Sequence, residues 1–341
     1  MKSKILFIAA SLFFTVIIWT ACKKDNSSGS DSNSTDIATQ SAAQASDESI
    51  ATNEIDNANN DVNATVEVAP SLTGYSVSTP YQGSIATNAV VSVDSSSGNN
   101  SIHFPSICGA SISYDTSNGN RNVSITYNGT SCNGKRSRSG VITYSIPIGT
   151  KWKNAGAAIT VNFQNYKVTR LVDNKSITIN GSETYTNVSG GLLINLATLK
   201  TITHTITSSG LKVVFADSTG TTQQRSWQIA KQRVFTYDNG IVITTTGTYS
   251  ANGISGIAEW GINRNGDNFT TAITQPMVVR QDCDFRITAG QVQHTLPKVT
   301  ITATFGLDAA GNATSCPGTG YYYMKTVWQY ANKSYTVIKP Y

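Results

Sequence analysis

The chain has 341 residues, with 25 Lys/Arg against 20 Asp/Glu and three histidines. His103, His204 and His294 fall in separate segments with no partner two or four positions away, which argues against a histidine metal centre. No basic run is interleaved with aromatics, which argues against nucleic acid as a partner, and the G-x-S-x-G, H-E-x-x-H and G-x-x-x-x-G-K signatures are missing.

The first element is a leader over residues 1–21. Lys2 and Lys4 precede an apolar run from Ile5 to Trp19, and Thr20-Ala21-Cys22 follows. This is the layout of a bacterial lipoprotein signal peptide, with cleavage before Cys22 and lipid on its thiol and new amino group. The apolar run is about 15 residues, short of the roughly 20 that span a bilayer. A multiply acylated Cys22 gives stable attachment, so the expected partner is the membrane, through the lipid. Lys23 follows Cys22, as in lipoproteins sent to the outer membrane, where the chain faces either the cell surface or the periplasm.

Residues 22–70 read as an acidic tether. The string from Lys23 to Asp36 has no sizeable apolar residue and suits a flexible linker, and a marginal helix is expected from about Thr39 to Asn60. Lys23 and Lys24 face nine acids over residues 23–70, a net of −7, while the rest of the chain to Tyr341 has 21 Lys/Arg and 11 acids, a net of +10. The contrast reads as solubility charge or as attraction of the domain to anionic surface polymers.

From residue 71 onward the pattern is β. Val123 and Ile125, then Ile159, Val161 and Phe163, then Ile177 and Ile179, then Val299, Ile301, Ala303 and Phe305 alternate with polar residues. Asn118-Gly119, Asn128-Gly129, Asn180-Gly181, Asn239-Gly240, Asn252-Gly253 and Asn265-Gly266 read as turns. Alternation with one wet face predicts antiparallel sheets, sandwich-like or extended, in an all-β body. Two units are expected, 71–190 and 191–341, with Leu192–Thr207 as an extended strand pair or a connection between them.

Cys22 aside, four cysteines remain: Cys108, Cys132, Cys283 and Cys316. Both pairs frame the same succession of Cys, strand, polar turn, a strand of form V-[ST]-I-T, and T-S-C-x-G. An internal duplication therefore predicts the disulfides Cys108–Cys132 and Cys283–Cys316; other pairings would cross-link the units.

Thr130-Ser131-Cys132-Asn133-Gly134-Lys135-Arg136-Ser137-Arg138-Ser139-Gly140-Val141-Ile142 resembles the C-x-[DN]GRxRxGxI pattern of a group of Bacteroidota lipoproteins. Gln275–Cys283 is similar to the P-L-V-[RK]-x-x-C entry to that group's second unit. The resemblance covers most of residues 71–341. It implies a paired two-cysteine β architecture and an envelope address, and it implies no reaction.

Three sets of residues invite a functional reading. Lys135, Arg136 and Arg138 form the densest basic cluster, beside a disulfide, and could contact an anionic ligand or else protect a strand edge. Tyr321, Tyr323 and Trp328 could stack on sugars or pack a core. Asp282 and Asp284 flank Cys283 and, on a strand, would form a charge ladder with Arg280 and Arg286 rather than a catalytic pair. No cofactor is expected. The reading is a lipid-anchored, non-enzymatic envelope protein that binds an anionic glycan or an envelope protein, with a polysaccharide- or protein-directed hydrolase or inhibitor as the alternative.

Overall fold

The computed structural model describes residues 50–67, 69–73 and 107–341, apart from a few single or paired positions in the last stretch. The leader, the lipidation site Cys22, His103 and Asp284 lie outside the described residues.

Residues 50–67 form a helix, α1, followed by the short α2 (Pro70–Thr73). Among the described residues fifteen strands follow. They are β1 (Ala110–Ser117), β2 (Asn120–Thr130), β3 (Arg136–Pro147), β4 (Ala157–Arg170), β5 (Ser176–Asn187), β6 (Thr201–Ala216), β7 (Thr222–Tyr237) and β8 (Ile241–Gly247). Then come β9 (Tyr249–Ala251), β10 (Ile254–Ile262), β11 (Asn268–Arg280), β12 (Arg286–Thr295), β13 (Val299–Leu307), β14 (Tyr323–Tyr330) and β15 (Lys333–Pro340).

All strands belong to one antiparallel sheet, and its order follows the sequence from β1 to β7, then β10 to β15. One end of β7 pairs with β10 and the other with β8, and both of these pair onward to β11. The expected all-β, antiparallel body is therefore present, as an extended single sheet. Pairing continues across residue 190, where two units were expected to part, because β5 and β6 run side by side from Ser176–Ala216 to Asn187–His204. Leu192–Thr207 acts as a connection: a 3-10 turn (Leu193–Asn195) and a helical turn, α3 (Leu196–Leu199), lead into β6.

Alternation places one face of each strand inward. Val123, Ile125 and Tyr127 of β2, Ile142, Tyr144 and Ile146 of β3, and Trp227 and Ile229 of β7 are all buried. They surround α1, whose Ala51, Ile55, Ala58 and Val62 are wholly buried in the same cluster. Side chains of β2, β3, β5, β7 and β10 all reach the helix, so the sheet curls about it. Within the expected tether over 22–70, residues 50–67 are instead a core element, and the helix expected as far as about Asn60 continues to residue 67. Their Ala51-Ile55-Ala58-Val62 stripe has helical spacing, but small alanines and interspersed Asn hide it.

Asn118 and Gly119 both have positive φ, 52° and 74°, as a two-residue hairpin turn requires between β1 and β2. Asn128-Gly129 and Asn180-Gly181, also read as turns, lie inside β2 and β5. Gly181 sits at an irregularity in the β5–β6 register, where a Cβ would press on the Gly210 carbonyl. The glycine serves a bulge there, not a reversal.

Both expected disulfides are formed, with Cα separations of 5.0 Å for Cys108–Cys132 and 5.7 Å for Cys283–Cys316. Each closes one hairpin, β1–β2 or β12–β13. The second hairpin has a small apolar cluster of its own, built on Ala303, Phe305 and Met324, outside the main core.

Because Ile55 is fully buried between helix and sheet, Ile55→Ala should cost about 2–5 kcal/mol in denaturant unfolding. Exposed Asn60→Ala on the same helix should cost well under that, about 1 kcal/mol or less.

Candidate functional site

The helix carries its acids into the sheet. Glu54 pairs with Arg136 at 2.8 Å, and Asp61 with Arg138 at 2.7 Å. Asp56 pairs with Arg233 at 2.9 Å and Lys231 at 3.3 Å. Lys231 also meets Glu259 of β10 at 2.6 Å, and Thr52 donates to the other oxygen of Glu259 at 2.7 Å. Asp61 further accepts from the Tyr127 hydroxyl at 2.9 Å, and Tyr144 donates to Thr65 at 2.8 Å. At the helix's C-terminal end Glu67 accepts from Trp152 Nε1 at 2.9 Å and from the Leu193 N–H at 3.0 Å.

Geometry explains the match. Residues two apart on a strand face the same side about 6.8 Å apart, while residues four or seven apart on a helix share one face. Arg136 and Arg138 therefore meet Glu54 and Asp61. Lys231 and Arg233 meet Asp56, and Arg233 also donates to Asn60 at 3.2 Å.

Burial sets the electrostatics. It would raise Asp56, but Lys231 and Arg233 outweigh it and hold that carboxyl below its ordinary value. For Glu54 and Asp61 burial wins over Arg136 and Arg138, and both are raised. Glu67 has only neutral donors, and burial pushes it to about 7. Glu183 of β5 is pushed by burial to about 8, and Asn59 of the helix offsets only part of this. His204 is held neutral by burial and by nearby Arg233, down to about 3. Its Nδ1 lies 3.0 Å from the Tyr185 hydroxyl, among Trp152 and Phe235.

The basic cluster read from the sequence thus divides. Lys135 is exposed, but Arg136 and Arg138 face inward and are paired with the helix. They share the inner parity of Ile142 and Tyr144, which is the signal that could have revealed this. Arg138 also donates to the Cys108 carbonyl at 2.5 Å and lies over the Tyr127 ring. Gly140 of the same motif has φ 97° at a bulge, where a Cβ would strike the Asn165 carbonyl. The R-x-R-x-G-x-I segment is architectural over its length.

The aromatic set divides too. Tyr321 precedes β14 and is exposed, and Tyr323 and Trp328 fall on opposite faces of β14 by parity. No single sugar platform unites them. Gln281–Cys283 is a 3-10 turn rather than strand, so the Asp282 ladder does not form; Asp282 instead pairs with Arg280 at 2.8 Å.

Sequence reasoning missed the outer face. Asp115, Asn122, Ser145, Thr160, Thr184 and Thr207 lie side by side on β1 to β6. Ser113, Ser124, Thr143, Asn162 and Ser182 form the next row on β1 to β5. A shallow depression of about 230 Å³ opens over both rows between Ser113, Asp115, Asn122, Ser124, Thr143, Ser145 and Asn162. The face offers hydroxyls and amides at strand spacing, with Asp115 as the one charge in these two rows. The signal was present as Thr/Ser/Asn at every second position, but register alone aligns them.

No family model, curated protein or solved structure matches this chain. Among the described residues no group of three His, Cys, Asp or Glu could hold a metal ion, and no helix is long and apolar enough to cross a membrane.

Arg138→Ala leaves Asp61 buried without its cation, and should cost about 3–5 kcal/mol of stability. Lys135→Ala should be close to neutral in the same denaturant titration.

Glu67 and Glu183 bind a proton more tightly folded than unfolded, where carboxyls titrate near the ordinary 4.5. Their contribution is complete below about 4.5 and is lost as pH rises through about 7 and about 8. His204 works in the opposite sense: its depressed folded value removes stability as pH falls from 6.5 toward about 3. Stability should therefore peak in between, and Glu183→Gln should flatten the alkaline limb of melting temperature against pH without moving the acid limb.

Proposed function

We propose that this chain is a lipid-anchored protein of the bacterial envelope, held at the outer membrane through Cys22, that binds another envelope component without transforming it. The leader and the resemblance to the Bacteroidota lipoprotein group support the address. One observation carries the binding role: the two-row lattice of hydroxyl and amide side chains on the outer face of β1 to β6, with a depression over it.

Such a lattice favours a glycan. Sugar hydroxyls are both donors and acceptors, and Ser, Thr and Asn side chains offer both in return. Asp115 adds a strong acceptor for a pair of sugar hydroxyls. The inward pairing of Arg136 and Arg138 moves the expected ligand contact away from the basic turn and favours a neutral or amide-bearing sugar over an anionic one.

A glycan array probed with the full chain tests this reading. Binding to a restricted set of glycans is expected, weakened about thirtyfold by Asn122→Ala with Asn162→Ala, the loss of hydrogen bonds worth about 1 kcal/mol each. Melting temperature should hardly change, since both side chains lie on the outer face. A blank array, or binding indifferent to these substitutions, overturns the assignment.

A further inference from the structure

We infer that the space enclosed by the sheet is a binding lumen for an anionic amphiphile, and that α1 is its displaceable internal plug. This goes beyond the outer-face reading and rests on different residues.

The helix is held by the wrong kind of contact for a permanent core element. Its buried apolar residues are mainly alanine and valine with a single central isoleucine, Ile55. The rest of its grip is charge: Glu54, Asp56 and Asp61 against Arg136, Arg138, Lys231 and Arg233. Buried ion pairs are weak sources of net stability, because both partners must be stripped of water. The sheet does not need the helix for its hydrogen bonds, because every strand pairs with at least one other strand.

The wall defines what could replace α1. With the helix withdrawn, Arg136, Arg138 and Arg233 would lose their carboxylate partners beside Tyr127, Tyr144 and Ile125, while Lys231 would keep Glu259. Leaving such charges uncompensated is costly, so the replacement must bring anionic oxygens as well as apolar surface. A carboxylate or phosphate joined to an acyl chain has both. The helix has the same make-up, an apolar stripe of Ile55 and Val62 flanked by acids, Glu54 and Asp61 toward β3 and Asp56 toward β7, and so stands in for that ligand.

The attachment points set how it moves. At its C-terminal end Glu67 is bonded to Trp152 and Leu193, and the Trp152 N–H donates to Leu72 of α2 at 2.8 Å. The N-terminal half is gripped mainly by ion pairs. The plug therefore opens from residue 50 and hinges near residue 67.

The test uses the full chain in phosphatidylcholine nanodiscs. Hydrogen exchange followed by mass spectrometry should show residues 50–61 exchanging ahead of β2, β3 and β7, as a separate opening unit. A photoactivatable diazirine palmitate should cross-link saturably to peptides of β3 and β7, and its methyl ester should not. Asp56→Asn with Asp61→Asn should raise labelling at least several-fold, and Arg138→Gln with Arg233→Gln should abolish it. Labelling of the outer strand faces, or equal labelling by the ester, overturns the proposal. So does exchange of α1 only together with the sheet, a result that needs no variant to fold. A fatty acid and an anionic phospholipid share the required chemistry, and competition by free oleate or by added phosphatidylglycerol tells them apart.

Discussion

The structure depends on one constraint: cations on the inward face of a β-sheet must be neutralised inside it. Arg136 and Arg138 share a face with Ile142 and Tyr144, and Lys231 and Arg233 with Trp227 and Ile229. A strand buries that face whether or not it carries charge, so these four positive groups enter the interior together with Arg225, which lies over the Phe215 ring. Solvent cannot reach them well enough to stabilise them there, and nearby strand acids are few: Glu183 and Glu259. The missing negative charge comes from α1. The opposite net charges of the N-terminal segment and the body, −7 and +10, therefore include an internal complementarity as well as solubility.

Connectivity makes this constraint non-local. Almost all strand pairing joins sequence neighbours, and that part of the fold forms through short loops. The helix is the exception. Thr52 meets Glu259 across 207 residues, and Asp56 meets Arg233 across 177. The helix is made first in the chain but finds its full set of partners only when β10 is in place.

Much of the fold was legible because period-2 patterning and Asn-Gly turns are local signals. The β1–β2 hairpin follows from Val123, Ile125 and Asn118-Gly119 alone, and the disulfides from the repeated frame around the four cysteines. Less legible was anything set by the third dimension. Asn180-Gly181 has the chemistry of a turn, but the neighbouring backbone at Gly210 uses it as a bulge. The helix was expected only as a marginal element of a tether, from about Thr39 to Asn60, and its burial was hidden because its apolar stripe is small and its polar residues look solvated. The clue lay on the strands: a basic residue in the apolar parity of an alternating run, as at Arg138 or Arg233, calls for a buried acid from elsewhere. The outer lattice was invisible for another reason. Serines and threonines on separate strands become a surface only once register sets them side by side.

The two disulfide hairpins show how one local frame can be put to different use. In the first, Arg138 ties the Cys108 carbonyl to Asp61 of the helix, so the bridge sits against the plugged interior. In the second, Arg286 donates to the carbonyls of Cys283, Gly318 and Gly320 and lies over the Tyr322 ring. Tyr341 closes that hairpin, accepting from the Gly306 N–H and donating to the Ile287 carbonyl. In both, an arginine on an aromatic ring holds the carbonyl of the first cysteine, yet it comes from different positions in the repeat. What the copies share is therefore a physical solution: a disulfide brings two strand ends together, and a guanidinium gathers the backbone carbonyls left unpaired there. The second copy completes that solution with its own C-terminal residues. The first completes it with α1, through the Arg138–Asp61 pair.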